Sequence, residues 1–248
     1  MDDYKFITEY LNRIQYHGKI EANDESLKAL QEHHLASVPF ENLDIMNKIE
    51  IQLDKDYLWE KIVCRRRGGI CYELNGLFAE LLRRIGFNVT YLSAKVPCYG
   101  NKFDHALILA ELEEKWLVDV GYGDGFFAPL RFVENIPQQD SKGMFRIIQQ
   151  NGEYQLWRNT NNSDSLEYTF TLTPRQLNDF YERCRFFELD VESRFNKNGL
   201  CSLEKCDERV SLTDSRLLHS KMGIQTRVEI KSEKEFVTNL KNVFNIIL

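Results

Sequence analysis

Cys71 stands just before a stretch of strong helical period, behind a loop that contains Arg65–Arg67, Gly68 and Gly69. At the first turn of a helix the backbone N–H groups are unpaired, and their partial positive charge stabilises a thiolate. The three arginines add positive charge, and the glycines let the loop turn tightly and let a substrate approach the backbone. The position favours a nucleophilic cysteine. A half-buried structural cysteine is the alternative interpretation of any single thiol.

A cysteine nucleophile needs a base, and His105 is the best candidate among the five histidines. His105 opens the strand-like segment "HALILAEL", and Asp119 lies within the next one, "KWLVDVGYG". A carboxylate in an apolar strand is costly unless it is paired. The two segments form a predicted hairpin, so one face can hold both side chains, and the aspartate would orient the imidazole. Each residue also has an alternative interpretation when it is considered alone: His105 could be a hydrogen-bonded histidine of the core, and Asp119 could be an acid near a turn.

The composition limits the class of protein and the cellular compartment in which these residues act. The chain has 248 residues, 43% of them hydrophobic, and a net charge of −6, so no overall positive field attracts nucleic acid. The beginning "MDDYKFITEY" lacks the basic and apolar regions of a signal peptide, and no apolar run reaches the ~18 residues of a membrane helix. We expect a soluble cytoplasmic protein that binds neither nucleic acid nor membrane and whose six cysteines are free thiols.

Apolar positions at helical spacing predict two helices before Pro39, and Asp24 is a suitable N-cap for the second. A short helix is predicted around residues 57–63. The apolar face predicted for the first helix consists of Tyr4, Ile7, Leu11 and Ile14.

The helix that follows Cys71 is predicted to end at Gly86. Its apolar residues form a single stripe, which is typical of a helix that packs on one side. That stripe consists of Leu74, Leu77, Phe78, Leu81, Leu82 and Ile85.

From Phe87 the period changes to that of strands. Six short segments rich in β-branched and aromatic residues predict an antiparallel sheet or barrel. A helix near residues 174–187 and two or three strands within 200–230 follow. A terminal helix begins with Ser232 and Glu235 at capping-box spacing. Its predicted apolar face consists of Phe236, Leu240, Val243 and Ile247.

Four stretches together resemble the arylamine N-acetyltransferases: "VPFENLDI" at 38–45, "RGGICYELN" at 67–75, "DHALIL" at 104–109 and "WLVDVGYGDG" at 116–125. The resemblance implies an α+β fold with a papain-like Cys-His-Asp catalytic core. Three parts are implied: a helical bundle with the cysteine, a central antiparallel β-barrel with the histidine and aspartate, and an α/β lid. Their expected bounds are 1–86, 87–188 and 189–248.

The resemblance also implies roles for single residues. Cys71 falls on the family's nucleophile, His105 on its base and Asp119 on the third member of the triad. Glu41 and Arg67 fall on a structural pair that bridges the helical part to the catalytic loop. The implied reaction moves an acetyl group from acetyl-coenzyme A through an acetyl-cysteine to an arylamine or hydrazine. A cysteine hydrolase or amidase, or a macrolactam amide synthase, is the alternative function on the same triad.

Other assignments concern the ligands. Gly121, Gly123 and Gly125 are candidates for binding coenzyme A, because a glycine-rich turn offers backbone N–H groups to phosphate. Asp124 departs from relatives that carry a basic residue at its position, and Tyr122 departs from the many that carry phenylalanine. No metal is expected, since Cys201 and Cys206 lack a second ligand pair. The apolar wall of the acceptor site is predicted to contain Phe40, Tyr72, Tyr122 and Phe195.

Overall fold

Seven α-helices occur in the computed structural model, which describes residues 1–161 and 163–247. Helix α4 continues directly into a π-helical turn at Glu60–Cys64, and single 3₁₀ turns lie at Leu177–Phe180 and Arg194–Asn196. The α-helices are α1 (Asp3–Arg13), α2 (Asp24–Ser37), α3 (Leu43–Met46), α4 (Lys55–Trp59), α5 (Cys71–Ile85), α6 (Tyr181–Leu189) and α7 (Glu233–Phe244).

The larger of two antiparallel sheets has eight strands and curves into a nearly closed barrel. Hydrogen bonds between Arg131 and Gln138 link its two edge strands. The spatial order is β5-β4-β3-β2-β9-β8-β7-β6. The strands are β2 (Asn88–Lys95), β3 (His105–Glu111), β4 (Lys115–Val118), β5 (Leu130–Arg131), β6 (Gln138–Asp140), β7 (Gly143–Gln150), β8 (Glu153–Thr160) and β9 (Ser163–Phe170).

The smaller sheet joins the beginning of the chain to its end. Its five strands have the order β1-β10-β11-β12-β13, and β1 is the short segment Phe40–Glu41. Phe40 pairs with Ser202 in β10 and forms a parallel bridge to Gly69. The loop before Cys71 is therefore tied to the second sheet. The other strands are β10 (Leu200–Lys205), β11 (Glu208–Thr213), β12 (Arg216–Lys221) and β13 (Ile224–Glu229).

These elements form the expected α+β fold. The division at 1–86, 87–188 and 189–248 stays a prediction, and its last residue, Leu248, lies outside the described residues. Because β1 pairs with β10, the first and third predicted parts share a sheet.

Helix α5 is the central element of the larger core. Twelve of its fifteen residues are buried, so the predicted single stripe underestimates its contacts. The helix packs against β2 and β3 on one side and against α1 and α4 on another. Gly86 ends it with a φ of 111°, a left-handed conformation that glycine adopts without strain.

The predicted face of α1 was partly wrong. Ile14 is buried and Ile7 and Leu11 pack against the core, but Tyr4 is 82% exposed. Phe6 and Tyr10, which were not predicted, are buried instead. The ring of Phe6 packs on Trp59 with centroids 4.3 Å apart, a tertiary contact that helical spacing alone does not indicate. The N-cap of α2 is Asn23, one residue before the predicted Asp24; its side chain accepts a hydrogen bond from the Ser26 N–H.

Two features near the end of the chain also differ from the predictions. The helix expected at 174–187 begins with the 3₁₀ turn and extends to Leu189. In α7, Ser232 accepts the Glu235 N–H as an N-cap, but Ile247 lies beyond the helix end and is 75% exposed. Ile246 is buried instead, because the left-handed conformation of Asn245 turns the chain at that point.

Candidate active site

Cys71 is the first residue of α5 and is only 4% exposed. The Glu73 side chain accepts the Ile70 N–H and so closes the first turn of the helix. Gly121 lies directly against Cys71, because a β-carbon on that glycine would stand 2.7 Å from the Cys71 Cα. The loop after β4 can approach the cysteine this closely only with glycine at position 121.

His105 and Asp119 are brought together by the hairpin of β3 and β4. His105 begins β3 and Asp119 follows β4, and His105 Nε2 lies 2.6 Å from Asp119 Oδ2. Both residues are buried, with 2% and 3% exposure. The contact through Nε2 leaves Nδ1 as the ring nitrogen for the Cys71 thiol.

The imidazole is held in its charged form. Burial alone lowers the pKa of His105, but the carboxylate of Asp119 and the sulfur of Cys71 outweigh burial and raise this pKa to about 10. A cationic His105 beside Cys71 stabilises a thiolate there.

Residues that sequence reasoning missed hold Asp119 in place. Asn75 donates from Nδ2 to Asp119 Oδ1 at 2.9 Å and accepts the Val120 N–H with its own oxygen. Tyr168 donates to Asp119 Oδ2 at 3.4 Å, and Gln31 accepts the Asp119 N–H. Asn75 lies four residues after Cys71 and so on the same helix face, a spacing from which its place near the cysteine could have been predicted. No sequence pattern indicates that Gln31 or Tyr168 lies near Asp119.

Glu41 and Arg67 belong to a larger buried charge network. Arg67 Nη2 lies 2.8 Å from both Glu41 Oε1 and Asp44 Oδ1. Lys61, 1% exposed, places Nζ 2.7 Å from Asp44 Oδ2 and 2.7 Å from Glu73 Oε1. Burial raises the pKa of the Glu73 carboxyl despite this contact with Lys61. Glu73 also closes the first turn of α5, so the network connects directly to the helix that carries Cys71.

The three arginines do not act on Cys71 as the sequence suggested. Arg67 is bound within the charge network, and Arg65 is paired with Glu60 at 3.8 Å on the exposed surface. Arg66 adopts a left-handed conformation with φ of 54°. The positive charge that reaches Cys71 comes from His105 instead.

A further cation, Arg13 of α1, holds the arginine loop in shape. Its guanidinium donates to the carbonyls of Ser37 at 2.6 Å, Ile62 at 2.8 Å, Arg67 at 3.1 Å and Arg66 at 3.2 Å. Because the guanidinium is buried, the pKa of Arg13 falls to about 10.

Cys71 and His105 open onto one cavity of about 520 Å³ between the barrel, the helices and the second sheet. Phe40, Tyr122 and Phe195 line it, and their role as the acceptor wall stays a prediction. Tyr72 does not line it. Tyr72 is fully buried, stacks near Phe180 and Phe187 and donates to the Phe103 carbonyl, so it is a core aromatic.

The coenzyme A role of Gly121, Gly123 and Gly125 stays a prediction, and one of their three N–H groups already has a partner within the protein. The Gly121 N–H donates to Asp119 Oδ1 at 2.9 Å and is therefore already paired. The Gly123 carbonyl accepts a hydrogen bond from Arg209, and Gly125 lies outside the cavity lining. Two arginines, Arg158 and Arg209, border this turn.

Tyr122 and Asp124, the two departures from the family pattern, both line the cavity. The Tyr122 ring stands edge-on to His105 with centroids 5.1 Å apart, and its hydroxyl donates to the Glu167 carbonyl at 2.8 Å. The carboxylate of Asp124 lies 3.2 Å from Arg209 and 3.7 Å from Arg158. Both arginines also pair with other carboxylates, Arg158 with Glu167 and Arg209 with Glu204.

All six cysteines are free thiols; Cys201 is buried and Cys206 exposed. Within residues 1–161 and 163–247, no cluster of three or more His, Cys, Asp or Glu side chains has the arrangement of a metal site. In the same part of the chain, no helix has both the length and the apolar character needed to cross a membrane.

Comparison with known proteins agrees with this architecture. A family model described as N-acetyltransferase matches residues 24–248. The arylamine N-acetyltransferase pineal gland isozyme NAT-3 of Gallus gallus is 33% identical, over 98% of this chain and 94% of that protein.

Solved structures show the same relationship. The arylamine N-acetyltransferase of Salmonella typhimurium superposes with a TM-score of 0.91 at 31% identity, covering 97% of this chain and 91% of that one. The Mycobacterium marinum arylamine N-acetyltransferase in complex with CoA gives 0.90 at 27% identity, over 97% and 92%. The chain therefore belongs to the arylamine N-acetyltransferase family of acyltransferase enzymes.

Proposed function

We propose that the protein transfers an acetyl group from acetyl-coenzyme A to an arylamine or hydrazine through an acetyl-cysteine at Cys71. The observation that carries the proposal is the joint opening of Cys71 and the His105–Asp119 pair onto one cavity. The family membership supports an acetyl group as the cargo, and the CoA complex of the M. marinum relative supports coenzyme A as its carrier.

In the first half-reaction the Cys71 thiolate attacks the acetyl carbon of the thioester, and a new C–S bond forms. The bond to the coenzyme A sulfur then breaks, and this sulfur takes the proton of the His105 imidazolium. Exchange between two thioesters is nearly isoenergetic, so the acetyl group is not trapped on Cys71. The backbone N–H of Cys71, unpaired at the first turn of α5, is suited to bind the developing oxyanion.

The second half-reaction needs a neutral His105. Acetylation removes the negative charge of Cys71, one of the two groups that raise the pKa of His105. The histidine is then more readily neutral, and only the neutral imidazole can take the proton that the attacking amine must lose. When the Cys71 thiolate leaves, the original ion pair forms again, which completes a ping-pong cycle.

The acceptor is proposed to lie against Phe40, Tyr122 and Phe195. Phe40 and Phe195 have ring centroids 6.0 Å apart and line the same cavity as the catalytic pair. A flat aromatic acceptor packs well against such rings. The same apolar wall keeps water from the acetyl-cysteine, whose hydrolysis would waste the donor.

Incubation with acetyl-coenzyme A alone tests the proposal directly. We expect intact-mass measurement to show a single acetyl adduct on Cys71, and the adduct to disappear after an arylamine is added, with the acetylated amine formed in equal amount. A hydrolase would release acetate without an amine, and an amide synthase would leave the simple arylamine unacetylated. Either result would contradict the proposed transferase.

Cys71 is expected to be the most reactive of the six thiols. Brief treatment with iodoacetamide at pH 7, followed by peptide mapping, should find Cys71 alkylated before Cys98 and Cys206, although these two are exposed. The reason is the adjacent His105 cation. The variant His105→Gln should remove this preference, and earlier labelling of Cys98 or Cys206 in the unmodified protein would count against the site.

Tyr122→Phe is expected to leave the ranking of arylamine acceptors unchanged, because the hydroxyl is directed at the Glu167 carbonyl and not into the cavity. The lost hydrogen bond should lower the free energy of unfolding by about 1 kcal/mol. Tyr122→Ala removes the ring that stands beside His105 and should change the ranking. Steady-state rates on a panel of anilines check both variants. A new ranking for Tyr122→Phe would show that the hydroxyl reaches the acceptor.

A further inference from the structure

Strand β13 forms an open edge of the smaller sheet. It is the last strand in the sheet order, and all six of its residues, Ile224–Glu229, are exposed. Helix α7 packs on β10 and β11, at the other side of the sheet. An edge strand is a template for pairing with another chain unless lysine, proline or a bulge blocks it. β13 contains neither lysine nor proline, and its pairing with β12 is regular along its whole length.

The hairpin of β12 and β13 decides which backbone groups of β13 face the open edge. Lys221 pairs with Ile224 across a two-residue turn, and such a closing pair exchanges both backbone hydrogen bonds. Every second residue from Ile224 therefore bonds to β12. Ile230 continues this pattern, because its N–H donates to the Ser215 carbonyl at 3.0 Å. The residues in between direct their N–H and C=O groups to the open edge: Gln225, Arg227 and Glu229.

The side chains of β13 extend an apolar face of the sheet beyond the cover of α7. Val228 pairs with Leu217 of β12, so the two side chains share one face. Leu217 packs against the small core under α7, whereas Val228 is 57% exposed. Ile224 lies on the same face and is 72% exposed. Apolar side chains on an open edge are suited to cover by another strand.

The charges of this edge favour a second copy of the same chain as that strand. In a two-fold antiparallel pair, residues with edge-facing backbone groups lie opposite one another, so the symmetry axis passes through a residue of β13. Axes at Arg227 and Glu229 place like charges opposite each other. Axes at Gln225 and Thr226 form no ion pair within β13. An axis at Val228 places Arg227 of each subunit opposite the partner subunit's Glu229.

We propose that the protein forms a symmetric dimer in which two β13 strands pair antiparallel about Val228. The two five-stranded sheets then become one continuous sheet, and the two Val228 side chains pack on each other at the axis. Opposite charges across neighbouring strands stabilise a sheet, and like charges destabilise it. Within the described residues, no side chain of β13 lines the catalytic cavity, so this inference does not depend on the proposed function.

Sedimentation velocity over a range of protein concentrations tests the dimer. We expect a monomer–dimer equilibrium whose dissociation constant rises about ten- to a hundredfold in Arg227→Glu, because both ion pairs become like-charge pairs. The charge swap Arg227→Glu/Glu229→Arg restores opposite charges and should return the constant to within about fivefold of the unmodified protein. Lys241→Glu makes the same change in net charge at an exposed site of α7 and should leave the constant unchanged.

Disulfide cross-linking tests the register of the two strands. Opposite residues that exchange no backbone hydrogen bonds have Cα atoms about 4.5 Å apart, which a disulfide can span. In a background with the exposed Cys64, Cys98 and Cys206 replaced by serine, Val228→Cys should form a covalent dimer under mild oxidation. Thr226→Cys would lie about 14 Å from its counterpart in this register and should form none.

Circular dichroism and the rate of acetyl transfer should match the unmodified protein in the charge variants, since β13 lies outside the catalytic cavity. If Arg227→Glu does not fold, the charge swap and the cross-link still test the dimer. A protein that stays monomeric at every concentration, or a dimer that Arg227→Glu does not weaken, would overturn the proposal. Cross-linking through Thr226→Cys in place of Val228→Cys would also overturn it, because the axis would then lie at the wrong residue.

Discussion

Asp119→Asn is expected to lower the rate of acetyl transfer by roughly 10³- to 10⁴-fold while the protein remains folded. The amide oxygen can still accept from Asn75 and from the Gly121 N–H, both of which contact Oδ1. The amide NH₂ then faces His105 Nε2, in place of the oxygen that now lies 2.6 Å away. Nε2 must accept, the ring proton moves to Nδ1, and the imidazole no longer takes a proton at the atom next to Cys71.

Burst-phase acetylation by acetyl-coenzyme A and steady-state arylamine turnover measure this loss. Asp207→Asn, an exposed site in the turn between β10 and β11, is the matched control and should retain normal rates. A folded Asp119→Asn protein that keeps near-normal turnover would remove Asp119 from the catalytic set. Circular dichroism at the assay temperature separates lost catalysis from lost folding, since the variant is expected to be folded but less stable than the unmodified protein.

The same pair makes a pH-dependent contribution to stability. The pKa of His105 is raised from about 6.5 in the unfolded chain to about 10 in the folded protein. This stabilisation is fully present below pH 6.5 and is lost as the pH rises through 10. The difference in unfolding free energy between the unmodified protein and Asp119→Asn should therefore shrink between pH 7 and pH 10.

Lys61→Met is expected to lower the free energy of unfolding by about 3–5 kcal/mol, because it leaves buried carboxylates without their cation. Lys61 contacts Asp44 and Glu73 at 2.7 Å each, and all three side chains are buried. Methionine fills a similar volume, so the expected loss comes from charge and not from a cavity. Arg67→Gln acts on the same network and should be destabilising in the same direction.

Denaturant unfolding at neutral pH checks this prediction. Lys55→Met is the matched control, since Lys55 pairs with Glu80 at 3.0 Å but is itself largely exposed. Its loss should be below about 1 kcal/mol. If Lys61→Met is no less stable than Lys55→Met, the network does not stabilise the loop before Cys71. If Arg67→Gln keeps its stability but loses donor affinity, Arg67 binds phosphate.

Local patterns were sufficient for several parts of this protein. A helix that starts at Cys71 and stops at Gly86 is predicted by apolar spacing and one glycine, because a helix is built from contacts only a few residues apart. Alternating β-branched segments likewise predicted the strands. His105 and Asp119 were found because a histidine at the start of a strand and a carboxylate inside an apolar one are chemically unusual in sequence.

Tertiary structure decided how those residues are supported and where the charges act. Arg13 holds a loop more than fifty positions away, and Gln31 and Tyr168 reach Asp119 from 88 and 49 positions along the chain. Tyr72 and Tyr122 are both aromatic in sequence, yet packing places Tyr72 in the core and the ring of Tyr122 in the wall of the cavity. Whether a side chain points into the core or towards the cavity depends on strand register and on the direction of side chains between distant elements. Register and direction are set only when the whole chain packs, so no local pattern contains them.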